Sequence, residues 1–276
     1  MRYYRRTKFL YTPESAEPSR LSRSKIDLFL NCPRCFYLDR RRGLPRPSSF
    51  PLTLNVAVDA LLKREFDGYR AKGEPHPLMT HYGLEAIPFR HPEMDAWRDA
   101  LRRGIEYLHP PTNFRVTGGV DDVWVSPQTN ELIIVDYKAT SKAEEVSIDA
   151  EWQIGYKRQM EVYQWLFRQN GFLVSDTGYF VYVNGKSDAE AFDARLEFDV
   201  KLIPYAGNAD WIEGALVGAK RCLDAPEPPE ASGECEYCGY ALERGAYERS
   251  VGSARVPARE TARRERPTEK PKRETL

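Results

Sequence analysis

Asp136 and Lys138 stand just past the apolar run Leu132-Ile133-Ile134-Val135, and the two-residue period of an extended strand turns both side chains to one side. A carboxylate and an ammonium therefore converge at the end of what reads as a strand buried on both faces. Asp121 follows Gly118 and Gly119 on the preceding β-rich run, and a hairpin would bring it beside Asp136. Two carboxylates that close repel, and a divalent cation taking oxygen ligands, such as Mg²⁺, relieves the repulsion. Such an ion lowers the pKa of a bound water and neutralises charge on an attacked phosphate, while a lysine positions the nucleophile or steadies the phosphate. The chemistry implied is phosphodiester hydrolysis.

The Asp-x-Lys spacing alone is a weak signal, and it recurs as Asp199-Val200-Lys201, which reads as a solvated strand face. The first copy is set apart by its context: a buried strand, an acidic partner on the adjoining run, and a following amphipathic helix with Gln159 and Tyr163 on one face. A second kind of chemistry sits in the cysteines. Cys32-Pro33-Arg34-Cys35 and Cys235-Glu236-Tyr237-Cys238 are C-x-x-C pairs, with Cys222 apart from them. In a chain without export features, two such pairs suggest thiolates around one metal rather than disulfides. Four thiolates suit Zn²⁺ or a 4Fe-4S cluster. His76, His81, His91 and His109 show no paired ligand spacing and read as surface or loop residues.

The elements that must position these residues follow from periodicity. Two short helices are expected to meet near Asn31, where Pro33 interrupts the pattern. A helix over 53–73 has Val58, Leu61, Leu62 and Phe66 as its buried stripe, and residues 76–89 read as irregular. Residues 91–110 give a further helical pattern, with Trp97, Leu101, Ile105 and Leu108 on one face. The runs 114–126 and 131–140, joined by Pro127 to Asn130, form an antiparallel hairpin. A helix over 151–171 stops at Gly171, strands follow over 176–185 and 194–205 with Leu196, Phe198, Val200 and Leu202 alternating, and a helix covers 209–223.

Lysine plus arginine equal aspartate plus glutamate at 41 each in 276 residues, so any polyanionic partner must be met by local clusters rather than by net charge. Arg40 to Arg42 and the basic residues between Arg263 and Arg273 are such clusters, and each reads first as a solvated charged face. No apolar stretch approaches the roughly 20 residues that span a bilayer, and the first residues lack the apolar core of a secretory signal. A soluble, cytoplasmic protein without a membrane partner is expected. The domain reading is a basic extension over 1–20, one catalytic domain over 21–247 and a charged, disordered tail over 248–276.

The order Gly119-Val120-Asp121, Val135-Asp136-Tyr137-Lys138 and Gln159-Met160-Glu161-Val162-Tyr163 resembles the RecB-type branch of the PD-(D/E)XK nucleases, which includes CRISPR-associated adaptation nucleases. The resemblance runs from about Leu21 to Tyr240. It implies an α/β, restriction-endonuclease-like core, a mixed central sheet flanked by helices, with N- and C-terminal helical segments clasped by cysteines. It further implies a DNA nuclease using Mg²⁺ or Mn²⁺ in repair, recombination or foreign-DNA processing. Asp121, Asp136 and the Tyr137 carbonyl would bind the metal, Lys138 would be catalytic, and Gln159 and Tyr163 would engage DNA. The family often carries a metal-binding histidine on its early helix. This chain has Asp59 there, an equally hard ligand or an ordinary polar helix residue. The family's cluster takes one N-terminal and three C-terminal cysteines; Cys32, Cys235 and Cys238 match three places, leaving Cys35 for the fourth. The alternative function is a catalytically silent nucleic-acid-binding module of the same fold.

Overall fold

A computed structural model describes residues 4–48 and 53–251. The chain divides into two compact units, Met1–Cys235 and Glu236–Leu276. The first holds two sheets. Strand β1 (Ser19–Ser22) leads into helices α1 (Arg23–Asn31) and α2 (Pro33–Arg42). Pro33 breaks the helical run and opens α2 at its first turn, where its missing N–H costs no hydrogen bond. Helix α3 (Thr53–Lys72) follows, then α4 (Pro77–His81), β2 (Ile87–Pro88) and α5 (Met94–Arg98). Strands β3 (Ile105–His109), β4 (Phe114–Gly118), β5 (Asp122–Val125) and β6 (Leu132–Thr140) lead to α6 (Ile154–Gln169), β7 (Thr177–Gly185), β8 (Phe198–Ala206) and α7 (Trp211–Asp224).

One sheet has the order β1-β4-β3 and the other β2-β5-β6-β7-β8. The larger sheet is mixed, with β6 and β7 parallel and its other pairs antiparallel. Parallel neighbours need a covering crossover, which α6 supplies while packing against β3, β4 and β6. The largest core cluster gathers Ile134, Met160, Leu166, Phe167 and Phe180 with Leu21, Ile26 and Leu216. A second cluster, under α3, gathers Phe66, Trp124, Val135, Val181 and Leu202. Leu132 to Val135 are all buried, as a two-sided strand requires. The described part of the second unit is α8 (Glu236–Ser250), whose only buried described residue is Cys238.

Several sequence expectations are corrected. The helix expected over 91–110 is α5 followed by β3. Gly104, at φ +82, turns the chain, and Ile105 and His109 are buried while Glu106 and Leu108 are exposed, the alternation of a strand. Leu101, expected on an apolar face, is 91% exposed. On α3, Leu61 is exposed, while Val58 and Leu62 are partly buried and Phe66 is fully buried. Residues 76–89 contain α4 and β2 rather than irregular chain alone.

His76 and His109 are buried rather than superficial. His76 stacks on Phe66, and His109 bridges Thr112 Oγ1 at 2.8 Å and Glu213 Oε2 at 2.7 Å. The Arg40–Arg42 cluster is a solvated face only at Arg42, which is exposed: Arg40 donates to Arg20 O at 2.9 Å, and Arg41 to the carbonyls of Leu223 and Ala225. The strand expected over 194–205 begins at Phe198, leaving Leu196 outside it. Helix α8 runs on to Ser250, past the expected start of disorder at 248, and the basic cluster between Arg263 and Arg273 lies outside the described residues.

Candidate active site

The run expected as one strand over 114–126 is two strands in different sheets, β4 and β5, separated by Gly119, Val120 and Asp121. The glycines make this crossing possible. A Cβ on Gly118 would stand 2.7 Å from Tyr163 Cε1, and one on Gly119 would collide with Ala100 Cβ, so only bare backbone passes between α6 and the chain after α5. The hairpin itself is as expected: β5 pairs with β6 in a register that sets Asp122 opposite Val135. Beyond Val135, β6 continues beside β7 alone. There the Asp121 carboxylate takes the place of a strand partner, Oδ2 accepting from the Tyr137 amide at 2.8 Å.

Asp136 is fully buried, and its carboxylate is paired with the Lys138 ammonium, as the strand period requires. Gln159, from α6, donates to Asp136 Oδ1 at 2.7 Å and to the Tyr163 hydroxyl at 3.1 Å, while its Oε1 lies 3.5 Å from Lys138 Nζ. Lys138 Nζ also sits 4.5 Å from the Tyr156 ring centre, an aromatic face that favours the cation. Burial pushes the Asp136 carboxyl up to about 6; Lys138 opposes the shift and the nearby Asp121 charge adds to it. Burial likewise raises the Tyr163 hydroxyl to about 12, so it remains a neutral hydrogen-bonding group.

Asp59 enters from α3. Lys63, one helical turn on, bonds Asp59 Oδ2 at 2.8 Å and reaches Asp121 Oδ1 at 3.5 Å. Lys63 thus links Asp59 to Asp121, the Asp121 charge acts on Asp136, and the described structure supplies two ammonium groups, Lys63 and Lys138, as countercharge. The donor chemistry suits a hard divalent cation: the ligands are oxygens, and the most buried of them has a carboxyl raised by burial that added positive charge would bring down.

Sequence reasoning missed three residues. Lys63 was signalled only by its spacing from Asp59. Asp122, next to Asp121 and fully buried, accepts from Arg70, from Arg98 Nη2 at 3.0 Å and from the Tyr137 hydroxyl at 2.9 Å. It therefore fastens α3 and α5 to β6 and stays out of the open site. Arg23, at the start of α1, has no distinguishing sequence signal, yet its charge acts on both Asp136 and Tyr163. The second Asp-x-Lys copy is solvated as expected, Asp199 pairing with Lys186 at 3.2 Å and Lys201 with Glu145.

The thiols of Cys32, Cys35 and Cys235 lie within 4.8 Å of one another in the first unit, joining its N-terminal helices to its C-terminal end. Cys35 Sγ and Cys235 Sγ are 3.6 Å apart, too far for a disulfide bond. Burial acts to raise the Cys32 thiol, but hydrogen bonding from the Cys35 and Ser232 backbone and from the Cys235 and Cys35 thiols brings it down to about 6. Arg46 Nη2 adds positive charge 3.2 Å from Cys235 Sγ. A lowered Cys32 thiol and a guanidinium within the same group of thiols suit a metal that binds thiolates. Cys238 follows on the first turn of α8 and is buried. Cys222 instead lies 3.6 Å from the Pro33 carbonyl, and burial raises its thiol to about 11.

A family model of the PD-(D/E)XK nuclease superfamily matches residues 53–242. The crystal structure of SSO0001 aligns with 83% of this chain and 87% of its own, at 14% identity and a TM-score of 0.40. No curated protein matches.

Proposed function

The chain belongs to the PD-(D/E)XK nuclease superfamily, and on that premise we propose that it is an active, metal-dependent DNA nuclease with its centre at Asp121, Asp136 and Lys138. One observation carries the reading: Asp121 caps the Tyr137 amide at 2.8 Å beside the buried Asp136–Lys138 pair. A silent binding module would have no use for a pair of carboxylates, one of them buried, next to a polyanion.

Asp121, Asp136, the Tyr137 carbonyl and Asp59 would hold Mg²⁺ or Mn²⁺, which when bound supplies an acidified water and charge for the attacked phosphate. Lys138, paired with Asp136 on β6, would hold the nucleophile or a phosphate oxygen. Gln159 keeps Asp136 and Lys138 aligned, and with Tyr163 it forms the wall of α6 that the strand passes. We assign Cys32, Cys35, Cys235 and Cys238 a structural metal, a 4Fe-4S cluster or Zn²⁺, with no part in hydrolysis.

The RecB-type branch is supported by the order of these motifs, and a role in repair, recombination or foreign-DNA processing follows from that branch. The proposed cytoplasmic location is one in which paired thiols stay reduced and can bind a metal. Among the described residues no helix is long and apolar enough to cross a membrane.

The test is cleavage of single-stranded, double-stranded and flapped DNA, with RNA in parallel, with Mg²⁺ or Mn²⁺ and with chelator. Asp136→Ala and Lys138→Ala should each abolish turnover with the fold intact. Wild-type rates in both variants would place the chemistry elsewhere.

A further inference from the structure

Beside the catalytic centre lies a cleft of about 350 Å³ whose walls carry Arg6, Arg20, Arg23, Lys25 and Arg40. Its floor is Gly118, Gly119 and Tyr163, the backbone crossing and the α6 residue that also bound the Asp121–Asp136 site. Every one of its cations precedes residue 53, where the family match begins.

The charge in this cleft is poorly balanced. Asp39 pairs with Arg6 at 3.0 Å and with Lys25. Among the described residues Arg20 meets only neutral acceptors, Thr117 Oγ1 at 3.4 Å and Arg103 O at 3.2 Å. Arg40, 5% exposed, has a carbonyl as its hydrogen-bond acceptor. Burial brings its guanidinium down to about 10, and although Asp39 opposes this, Arg6 and Arg20 push it further down. Arg23 makes no side-chain hydrogen bond or ion pair among the described residues, although it is half-buried.

The same cleft meets the N-terminus of α1, nine residues long, whose cap residue Ser22 makes no side-chain capping bond. Its first amides and the positive end of its dipole therefore add to the guanidinium field. A buried guanidinium, an unpaired one and open helix amides converge on this space.

We propose that this cleft binds a phosphate of the nucleic-acid strand beside the one being cleaved, with Arg23 and the α1 amides as its principal ligands and Arg20 and Lys25 around them. The inference rests on the nuclease reading and gives it a substrate register: a phosphate held here fixes which neighbouring bond lies over Asp121 and Asp136. Arginine suits the task because its planar donors engage two phosphate oxygens at once.

The experiment is fluorescence anisotropy with the full chain in chelator, using short single-stranded DNA carrying a 5′-phosphate, a 3′-phosphate or neither. Arg23→Gln should weaken binding about tenfold, by the loss of one charge-assisted phosphate contact, and lower the salt slope by about 1. Arg23→Lys should recover part of both, while Lys201→Gln, on the distant solvated strand, should match the parent. A loss confined to one phosphorylated end assigns the cleft to a terminal phosphate, and an equal loss on every substrate assigns it to an internal one.

Affinity and salt slope unchanged in Arg23→Gln would overturn the proposal. Failure of the nuclease reading would show separately, as a parent protein that binds but never cleaves with Mg²⁺ or Mn²⁺.

Discussion

Asp121 and Asp122 are identical neighbours that the fold gives opposite work, and separating them tests the site directly. Asp122 is fully buried between two guanidinium groups and accepts from the Val123 amide at 2.8 Å, the Trp124 indole at 3.3 Å and the Tyr137 hydroxyl. Asp122→Ala leaves Arg70 and Arg98 with the half-exposed Asp67 as their remaining counterion, Arg98 Nη1 lying 2.9 Å from its Oδ1, and breaking a buried pair from one side costs up to about 3–5 kcal/mol. That is a large part of the roughly 5–15 kcal/mol by which a domain is stable.

The Asp121 side chain is 23% exposed, and its bonds are one backbone amide and a solvent-screened lysine. Asp121→Asn keeps an oxygen for the Tyr137 amide, so its stability should fall by about 1 kcal/mol or less. Its cleavage should nevertheless drop about 100-fold or more, the scale on which one preorganised electrostatic group contributes. Urea unfolding followed by tryptophan fluorescence, in chelator so that metal binding does not shift the midpoint, measures the first effect; Mg²⁺-dependent cleavage measures the second. The reasoning fails if Asp122→Ala unfolds within about 1 kcal/mol of the parent, the scatter of ordinary substitutions, or if Asp121→Asn is destabilised as much as Asp122→Ala.

Gly119→Ala should lose about 1–3 kcal/mol by overpacking against Ala100, and cleavage should fall with it as the crossing that aims Asp121 is displaced; a melting curve and a rate matching the parent would contradict this. Asp199→Ala and Lys201→Ala should cleave at the parent rate, since both residues lie on a solvated strand face, and a loss in either would show that the wrong copy of the motif was chosen. Cys35→Ser and Cys235→Ser should each lose the bound metal and melt at lower temperature, because thiolate coordination ties the first unit's two ends together. Elemental analysis and the visible spectrum of anaerobically purified protein read this out, and protein carrying neither zinc nor iron would refute it.

Much of the site was local and therefore legible. An apolar run followed by Asp-x-Lys fixes a buried strand with two convergent side chains, because the two-residue period needs no tertiary information. The turn from Pro127 to Asn130 fixes the β5–β6 pairing, and the long amphipathic pattern fixes α6 with Gln159 and Tyr163 on one face. The paired cysteine spacings likewise pointed to one cluster, though not to its metal, since thiolate ligands serve zinc and iron-sulfur alike.

What the sequence could not decide depends on segments distant in the chain. Strand β4 leaves the hairpin to pair in parallel with β1, setting Ser19 beside Phe114, and nothing within either segment announces a partner so remote. The same crossing separates Asp121 from Asp122 by turning one toward Asp136 and the other inward onto Arg70 and Arg98. Ile105 to His109 satisfied a helical period as well as an alternating one, and only the edge offered by β4 makes it a strand. Arg23 reads as an ordinary charged residue beside a serine. Its position next to Gly119 and Tyr163 comes from packing α1 against α6, and among the described residues that packing leaves its guanidinium unpaired while its charge acts on Asp136. The chemistry of single side chains was thus written in the sequence, whereas charge balance between them was set by which distant surfaces the fold brings together.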